Sequence, residues 1–414
     1  MSPAQDRALA AGRGAFGAIW APDRVASAPG RLELLGNHVD YNGGPVLAAA
    51  IDRSVVLLVE ETSGDRRSIE AVFADVNTRD RVTIDSEELA GWRNESPPPG
   101  SADYLRGAVA ALLSRPQIGL KTGVRLAIAG DVPIGFGLSS SAALCVALTL
   151  ALRRYPINQT ELVLAAQEAE HRAGTPCGTM DQSTSAAGGV ILFDGATLDI
   201  TRMDPELGGY TFAVADSGVE RSLGASSYRV RVDESREVVA FAQRHVRADL
   251  KYLADLRQDE LVELQSQNAP RLRESLVRRA RHVVSETRRV YEGIAAMRAG
   301  DWPRFGQLMS ESGRSSAEDY EISHPRVEEL VAEARSVQGV LGARMMGGGE
   351  GGTALILVER DAVPSLDRTL RSGYYQRHAM AERQDLVHIF GFARGASIGN
   401  WPDGAALISG SITR

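Results

Sequence analysis

The sequence predicts a two-domain protein that mixes sheet and helix, and three observations lead there. At 414 residues the chain is too long for one comfortable hydrophobic core. Its first half alternates strand-like and helix-like segments. After about Gly195 the pattern changes to long, arginine-rich amphipathic stretches, so the division is expected between residues 1–195 and 196–414.

The elements follow in chain order. Ser54 to Glu60 (SVVLLVE) is short and rich in β-branched residues, which suits a strand. Arg93 to Gly100 (RNESPPPG) is polar and proline-rich and reads as a surface loop. Gly123 to Ala129 (GVRLAIA) alternates like a strand and meets the turn signal Gly130-Asp131-Val132-Pro133. A helix is expected from about Ser140 to Arg153. Another runs from about Glu161 to Ala173, opened by a capping box of Asn158 and Glu161 and ended by Gly174. In Arg271 to Ile294, the residues Leu272, Leu276, Ala280, Val283, Thr287, Val290 and Ile294 recur at helical spacing, which predicts a helix packed on a sheet.

Composition narrows the function classes. The chain is 43% hydrophobic and 24% charged, ordinary for a globular protein. A net charge of -7 opposes a nucleic-acid or anionic-membrane partner. Two cysteines, Cys145 and Cys177, cannot build a disulfide framework, and Cys145 lies in an apolar run that reads as core. The first twenty residues lack the pattern of a signal peptide, and no apolar run reaches membrane-spanning length. The expectation is a soluble cytoplasmic protein, with monomer and homodimer both open.

Four clusters carry chemistry. Gly130 to Ala143, GDVPIGFGLSSSAA, sends a strand through Gly135 and Gly137 into three serines that open an apolar helix. Backbone N–H groups at a helix N-terminus, with the dipole behind them, suit phosphate, and serine hydroxyls add donors or a Mg²⁺ ligand. The segment is neither a Walker motif nor a dinucleotide fingerprint, and by itself it reads equally as a serine-capped turn. Ala28 to Ile51, APGRLELLGNHVDYNGGPVLAAAI, packs Asn37, His38, Asp40, Tyr41 and Asn42 into one loop, as recognition of sugar hydroxyls requires. Asp40 and Asn42 fit a self-bonded turn as well. Arg31, among apolar neighbours on a strand, calls for a partner. Glu168 to Gly189, EAEHRAGTPCGTMDQSTSAAGG, offers Glu170 and Asp181, the two carboxylates that phosphoryl transfer needs as metal ligand and proton acceptor. His171 in the same stretch reads as a helix-end cap. Gly342 to Val358, GARMMGGGEGGTALILV, lets backbone lie against a ligand or simply turns tightly.

In this order and spacing the clusters resemble the superfamily of galactokinase, homoserine kinase, mevalonate kinase and phosphomevalonate kinase (GHMP kinases). GRLELLGNHVDYNGG is similar to the galactokinase sugar signature, usually of the form GR…LIGEHTDYNGG. GFGLSSSAA resembles the phosphate loop, CGTMDQ the catalytic aspartate segment and GARMMGGGEGG the third motif. DSGVERSLGASSYRVR and EDYEISHP resemble further galactokinase segments, and the likeness runs from about Arg24 to Ile398.

The resemblance implies a two-domain α+β GHMP kinase fold with the active site in the cleft between domains. ATP and a sugar are the implied substrates, and Mg²⁺ the implied metal. Asp181 would be the base, with Arg31 its partner, keeping it ionised and offsetting charge on the transferred phosphoryl group. Gly135, Gly137, Leu138, Ser139, Ser140 and Ser141 would hold the nucleotide phosphates, and Tyr104 would border the adenine. Ser141 and Glu170 would ligate Mg²⁺. Asn37, His38, Asp40, Gly178 and Tyr228 would contact the sugar.

Departures from the family pattern matter. Asn37 stands where the signature has glutamate, and Glu33 where Asn or Ser is usual. Glu350 replaces a phenylalanine of the third motif, and Thr353 a cysteine. In the family the phosphoryl group goes to the C1 hydroxyl and the glutamate faces the C6 hydroxyl, so a neutral amide at residue 37 leaves two expected substrates: galactose, with the nearby Glu33 restoring the charge, or a C6-altered galactose-type sugar, with galacturonate the leading candidate. A non-catalytic sugar sensor and another superfamily kinase, such as one for mevalonate, are the competing readings. The complete Ser141-Ala142-Ala143, with Asp181 and Arg31, speaks against the first; HVDYNGG speaks against the second.

Overall fold

The computed structural model describes residues 1–62, 68–76, 81–96, 98–220, 226–265 and 272–402. Residues 221–225 of the segment DSGVERSLGASSYRVR, and Arg271 of the amphipathic stretch, lie outside the described residues.

The strands in chain order are β1 (Arg24–Leu35), β2 (Pro45–Glu61), β3 (Ser68–Phe73), β4 (Val82–Asp85), β5 (Val124–Gly130), β6 (Val190–Asp194), β7 (Ile200–Met203), β8 (Tyr210–Asp216), β9 (Val340–Met346), β10 (Thr353–Glu359), β11 (Val387–Phe390) and β12 (Ser397–Asn400). They form two sheets. The larger has the order β12-β1-β2-β5-β3-β4, with β6 paired to β2 and β7 to β6; the smaller is β11-β8-β10-β9. Among the described residues only β3 and β5 pair in parallel. The first sheet thus extends past Gly195 through β7 and takes its last strand, β12, from the far end of the chain. A division at residues 195/196 is simpler than the path of the chain, which returns to the first domain.

The expected strand at Ser54–Glu60 is the second half of β2. The first half, VLAAAI, is alanine-rich and poor in β propensity, so it was not legible as strand; pairing with β1 on one side and β6 on the other imposes it. β5 is buried along most of its length because the helix Pro3–Phe16 covers one side of the sheet while the helices Ser101–Leu113, Ser140–Leu152 and Gln159–Ala173 fill the other. The helix Ser140–Leu152 is apolar all round, and every residue from Ala142 to Leu152 is buried. The helix Gln159–Ala173 carries the expected Asn158–Glu161 capping box and ends at Gly174 in the left-handed conformation. The helix Glu274–Arg298 buries Leu276, Ala280, Val283, Val290 and Ile294 as its periodicity requires. It packs mainly on the helices Ser226–His245 and Trp302–Glu318, and only marginally on β1 and β2, so its partner is chiefly helix rather than sheet.

In the second domain the helix Trp302–Glu318 lies so close on β9 that glycine is needed on both sides. A Cβ on Gly342 would meet the Gly306 carbonyl oxygen at 2.0 Å, and one on Gly306 would meet the Leu341 carbonyl oxygen at 2.4 Å. Gly342→Ala is expected to destabilise the protein by about 1–3 kcal/mol through overpacking. Chemical denaturation measures this, and a loss under about 0.5 kcal/mol would mean that the helix can simply lift away.

Candidate active site

A cavity of about 790 Å³ opens between the two sheets, and residues distant in sequence converge on it. One wall is the loop from Pro133 to Ser141, which follows β5 directly. Asp131 anchors its start by accepting a hydrogen bond from the Ser54 amide at 2.6 Å. Gly135 and Gly137 adopt positive φ angles of 85° and 68°, and Ser139, the helix N-cap, has a φ of 57°. A non-glycine residue in that region is strained and needs a reason. Here the conformation brings the Ser139 hydroxyl to Asp181 Oδ2 at 2.5 Å.

Arg31 is the partner-seeking cation of β1, and its partner is Asp181, 150 residues on. Nε donates to Oδ1 at 2.8 Å and Nη2 to Oδ2 at 2.9 Å, a bidentate pair. Nη1 donates to the Gly137 carbonyl at 2.6 Å, and the Arg31 amide to the Leu138 carbonyl at 3.0 Å. Burial alone would lower the Arg31 pKa, but the charge and hydrogen bonds of Asp181 outweigh it and hold the guanidinium above its usual range. Gly30 must be glycine for the same crossing, since a Cβ there would meet the Leu138 carbonyl oxygen at 2.6 Å.

Glu170, near the end of the helix Gln159–Ala173, lines the cavity but is 2% exposed. Its Oε2 accepts from Gln182 Nε2, with the Cys177 thiol at 3.7 Å. Burial pushes this carboxyl up to about 7, against the hydrogen bonds of Ser141 and Gln182. Ser141 and Glu170 therefore present two oxygen donors on one wall. Among the described residues there is no group of three or more His, Cys, Asp or Glu side chains able to hold a metal by themselves. Such a donor pair fits a hard cation that takes its remaining ligands from phosphate and water.

Asp40, Gly178 and Tyr228 line the same cavity. Asp40 carries a carboxyl that burial raises to about 6, against a hydrogen bond from the Tyr41 amide. A Cβ on Gly178 would stand 3.2 Å from its Oδ2.

The structure thus brings together Arg31, Asp40, Gly135, Gly137, Leu138, Ser139, Ser140, Ser141, Glu170, Gly178, Asp181 and Tyr228. Three other expected residues stand behind the wall. Asn37 is fully buried: Nδ2 donates to Glu33 Oε1 at 2.8 Å and to the Gly347 carbonyl at 3.0 Å, and Oδ1 accepts from Ser316 Oγ at 3.1 Å. Neither amide hydrogen is left for a ligand, which corrects the expectation of direct sugar contact. His38 is similarly engaged, with Nδ1 at 2.9 Å from the Tyr41 hydroxyl and Nε2 at 3.2 Å from the Gly348 carbonyl. Burial lowers its pKa to about 4, so the ring is neutral, and it packs on Tyr228 at 5.5 Å with the rings tilted by 51°. Tyr104 bonds Thr175, a residue of the wall, at 3.1 Å through its hydroxyl. His171 holds the Cys177 carbonyl at 2.8 Å, in keeping with a structural role.

The cavity also includes residues that sequence reasoning did not single out. Asp216 and Arg383 pair at 2.8 Å on its second-domain side, near Gly218, Val219 and Glu220. Asp216 opens the segment DSGVERSLGASSYRVR, but no spacing marks its pairing with Arg383. Thr353, the departure from cysteine, donates to the Phe136 carbonyl at 3.0 Å and ties the phosphate loop to β10.

Residues 13–61 match the family described as "Galactokinase galactose-binding signature", residues 103–189 "GHMP kinases N terminal domain" and residues 294–376 "GHMP kinases C terminal". A galactokinase of Roseiflexus sp. (strain RS-1) is 38% identical over 86% of this chain and 88% of its own length. The galactokinase of Homo sapiens is 35% identical over 85% of this chain and 88% of its own length. The crystal structure of Lactococcus lactis galactokinase complexed with galactose superposes with a TM-score of 0.77 at 27% identity, covering 91% of this chain and 95% of that one. The mevalonate kinase of Methanococcus jannaschii shares the fold alone, at 17% identity and a TM-score of 0.62 over 89% of this chain and 98% of that one. The extent of the matches, over a cleft that pairs Arg31 with Asp181 beneath a glycine–serine phosphate loop, assigns this chain to the galactokinase family of the GHMP kinases, as an ATP-dependent phosphotransferase.

Proposed function

We propose that the protein transfers the γ-phosphoryl group of ATP to the C1 hydroxyl of galactose, with Asp181 as base. The observation that carries this reading is the Asp181 carboxylate, oriented by two hydrogen bonds from Arg31 in a cavity wall shared with the phosphate loop. The sugar hydroxyl gives its proton to Asp181 as its oxygen bonds to the γ-phosphorus. The bond from that phosphorus to the β,γ-bridging oxygen breaks, and its electron pair leaves on ADP. Arg31 offsets the negative charge that gathers on the transferred group, in a partly dry site where such a charge is felt strongly. Amides of Gly135 to Ser140, at the start of an apolar helix, hold the nucleotide phosphates. Ser141 and Glu170 would hold Mg²⁺, whose charge offsets that of the triphosphate when bound. Asp40, Gly178 and Tyr228 face the sugar, with His38 fixing Tyr228 from behind.

Galactose is preferred here to galacturonate. The two departures at residues 33 and 37 form one pair, with the Asn37 amide donating to the Glu33 carboxylate at 2.8 Å. Exchanging a carboxylate and an amide between two touching positions keeps one negative charge in the pair. With Asn37 engaged, no free amide awaits a sugar carboxylate, and Glu33, Asp40 and Asp181 would repel one.

Three expectations follow. Asp181→Asn keeps shape but removes the proton acceptor, so turnover should fall by about 10²-fold or more while ATP binding persists; near-normal turnover in the folded variant would refute the base. Chelation should abolish activity and added Mg²⁺ restore it, and Ser141→Ala should raise the Mg²⁺ concentration giving half-maximal rate; full activity without a divalent ion would exclude the proposed ligands. In a coupled ADP-release assay, kcat/KM for galactose should exceed that for galacturonate by roughly 10- to 100-fold, on the scale of a hydrogen bond to a charged group. Equal turnover of the two sugars would overturn the choice of substrate.

A further inference from the structure

A buried carboxylate that takes no part in this chemistry grips the sugar-binding loop from the opposite domain. Glu286, on the helix Glu274–Arg298, is fully buried. Its Oε1 accepts from the backbone amides of Gly36 at 2.8 Å and Asn37 at 3.2 Å, and from Ser312 Oγ at 2.7 Å. Its Oε2 accepts from Arg289 Nε, one turn along the same helix, at 2.7 Å. One turn earlier, His282 Nε2 lies 2.9 Å from the Asn37 carbonyl oxygen. That oxygen only accepts, so Nε2 carries the proton and Nδ1 faces the Ser315 hydroxyl at 2.9 Å.

We propose that Glu286, assisted by His282, is a positioning residue that sets the backbone of residues 36–38 and thereby the sugar affinity of the site. The inference rests on the reading of Asp40 and its neighbours as the sugar wall. The gripped segment is one that would not hold its shape unaided. Gly36 and His38 both have positive φ, 99° and 61°, so the chain turns sharply twice within three residues. Those turns aim the amides of Gly36 and Asn37 at a single point, and an anion occupies that point. Asp40 follows two residues later, and its direction depends on the turns before it.

Burying an ionised carboxylate is costly unless it is paired and hydrogen-bonded, and an apolar side chain could join the domains more cheaply. Glu286 instead meets Arg289, and its own bonds go to loop backbone and to one serine. Burial would raise its pKa, but the charge of Arg289, helped by His282, Arg344 and the Ser312 hydrogen bond, reverses this and holds it at about 2. The proposed phosphate loop, by contrast, is braced by Arg31, Asp181 and Thr353, and among the described residues no hydrogen bond joins it to Glu286. Loss of the grip should therefore affect the sugar and spare the nucleotide.

Glu286→Gln keeps size and one acceptor but loses the charge that balances Arg289. KM for galactose should rise at least about 10-fold while KM for ATP changes less than about twofold. Hydrogen exchange of the peptide covering residues 36–42, read without any substrate, should quicken in the variant. Ser312→Ala, which removes a single bond to Glu286, should shift both readouts in the same direction and more mildly, and serves if Glu286→Gln does not fold. Adding Arg289→Leu to Glu286→Gln should recover thermal stability but not sugar affinity. An unchanged sugar KM, an equal rise in both KM values, or unchanged exchange at residues 36–42 would overturn the proposal. If the wild type fails to phosphorylate galactose, the substrate reading falls, and exchange at residues 36–42 still decides whether Glu286 holds the loop.

Discussion

Arg31 leaves β1 where that strand passes beneath the phosphate loop, and its guanidinium is 7% exposed as a residue. A guanidinium cannot shed its charge, so burial obliges it to find acceptors for its donors. Asp181 supplies two oxygens and Gly137 a carbonyl, which together join β1, the loop after β5 and the helix Met180–Ala187. Once these three are joined, much of the site follows. The loop must cross close over Gly30, Ser139 must turn left-handed to reach Asp181, and the first turn of an apolar helix is left facing the cavity. One ion pair thus aligns the proposed base with the amides that open the helix Ser140–Leu152.

The rest of the cleft is built on the opposite principle, carboxylates buried with few cations near them. Glu170 and Asp40 are both pushed up by desolvation, to about 7 and about 6. Carboxyl groups so placed gain from the arrival of a cation or of hydroxyl donors, because the ligand supplies what burial removed. Glu286 shows the contrast: the same burial, met by Arg289 and three further donors, leaves an anion suited to holding backbone. Burial alone therefore does not assign a role to a carboxylate; its partners do.

The two domains meet through polar contacts as well as apolar ones. Gly347 and Gly348 of the glycine-rich stretch accept hydrogen bonds from Asn37 and His38, and a Cβ on Gly349 would meet the Ile322 carbonyl oxygen at 2.4 Å. Arg344, fully buried on β9, donates to the carbonyls of Glu33 and Leu34 on β1. Gly349 allows backbone to approach backbone within the second domain, beside the residues that reach across to the first. The carbonyls of Gly347 and Gly348 thereby help to fix the loop that leads to Asp40.

The local chemistry of the chain was legible in its sequence. The capping box at Asn158 and Glu161, the apolar helix after Ser139, the stripe from Leu276 to Ile294 and the need of Arg31 for a partner are all short-range facts, set by side-chain type and spacing. The resemblance of four motifs supplied the family and the fold. What remained hidden depends on contacts between residues hundreds of positions apart. The alanine-rich half of β2 is a strand because two neighbours pair with it, against its propensity. Asn37 read as a sugar ligand because a polar loop residue ordinarily keeps free hydrogens; only the packing of Glu33 and Gly347 around it takes them up, while Ser316 donates to its Oδ1. Glu286 sat unmarked in an amphipathic stripe, where a carboxylate reads as solvated surface. Its burial and its hold on Gly36 come from the docking of one domain on the other, which no local pattern encodes.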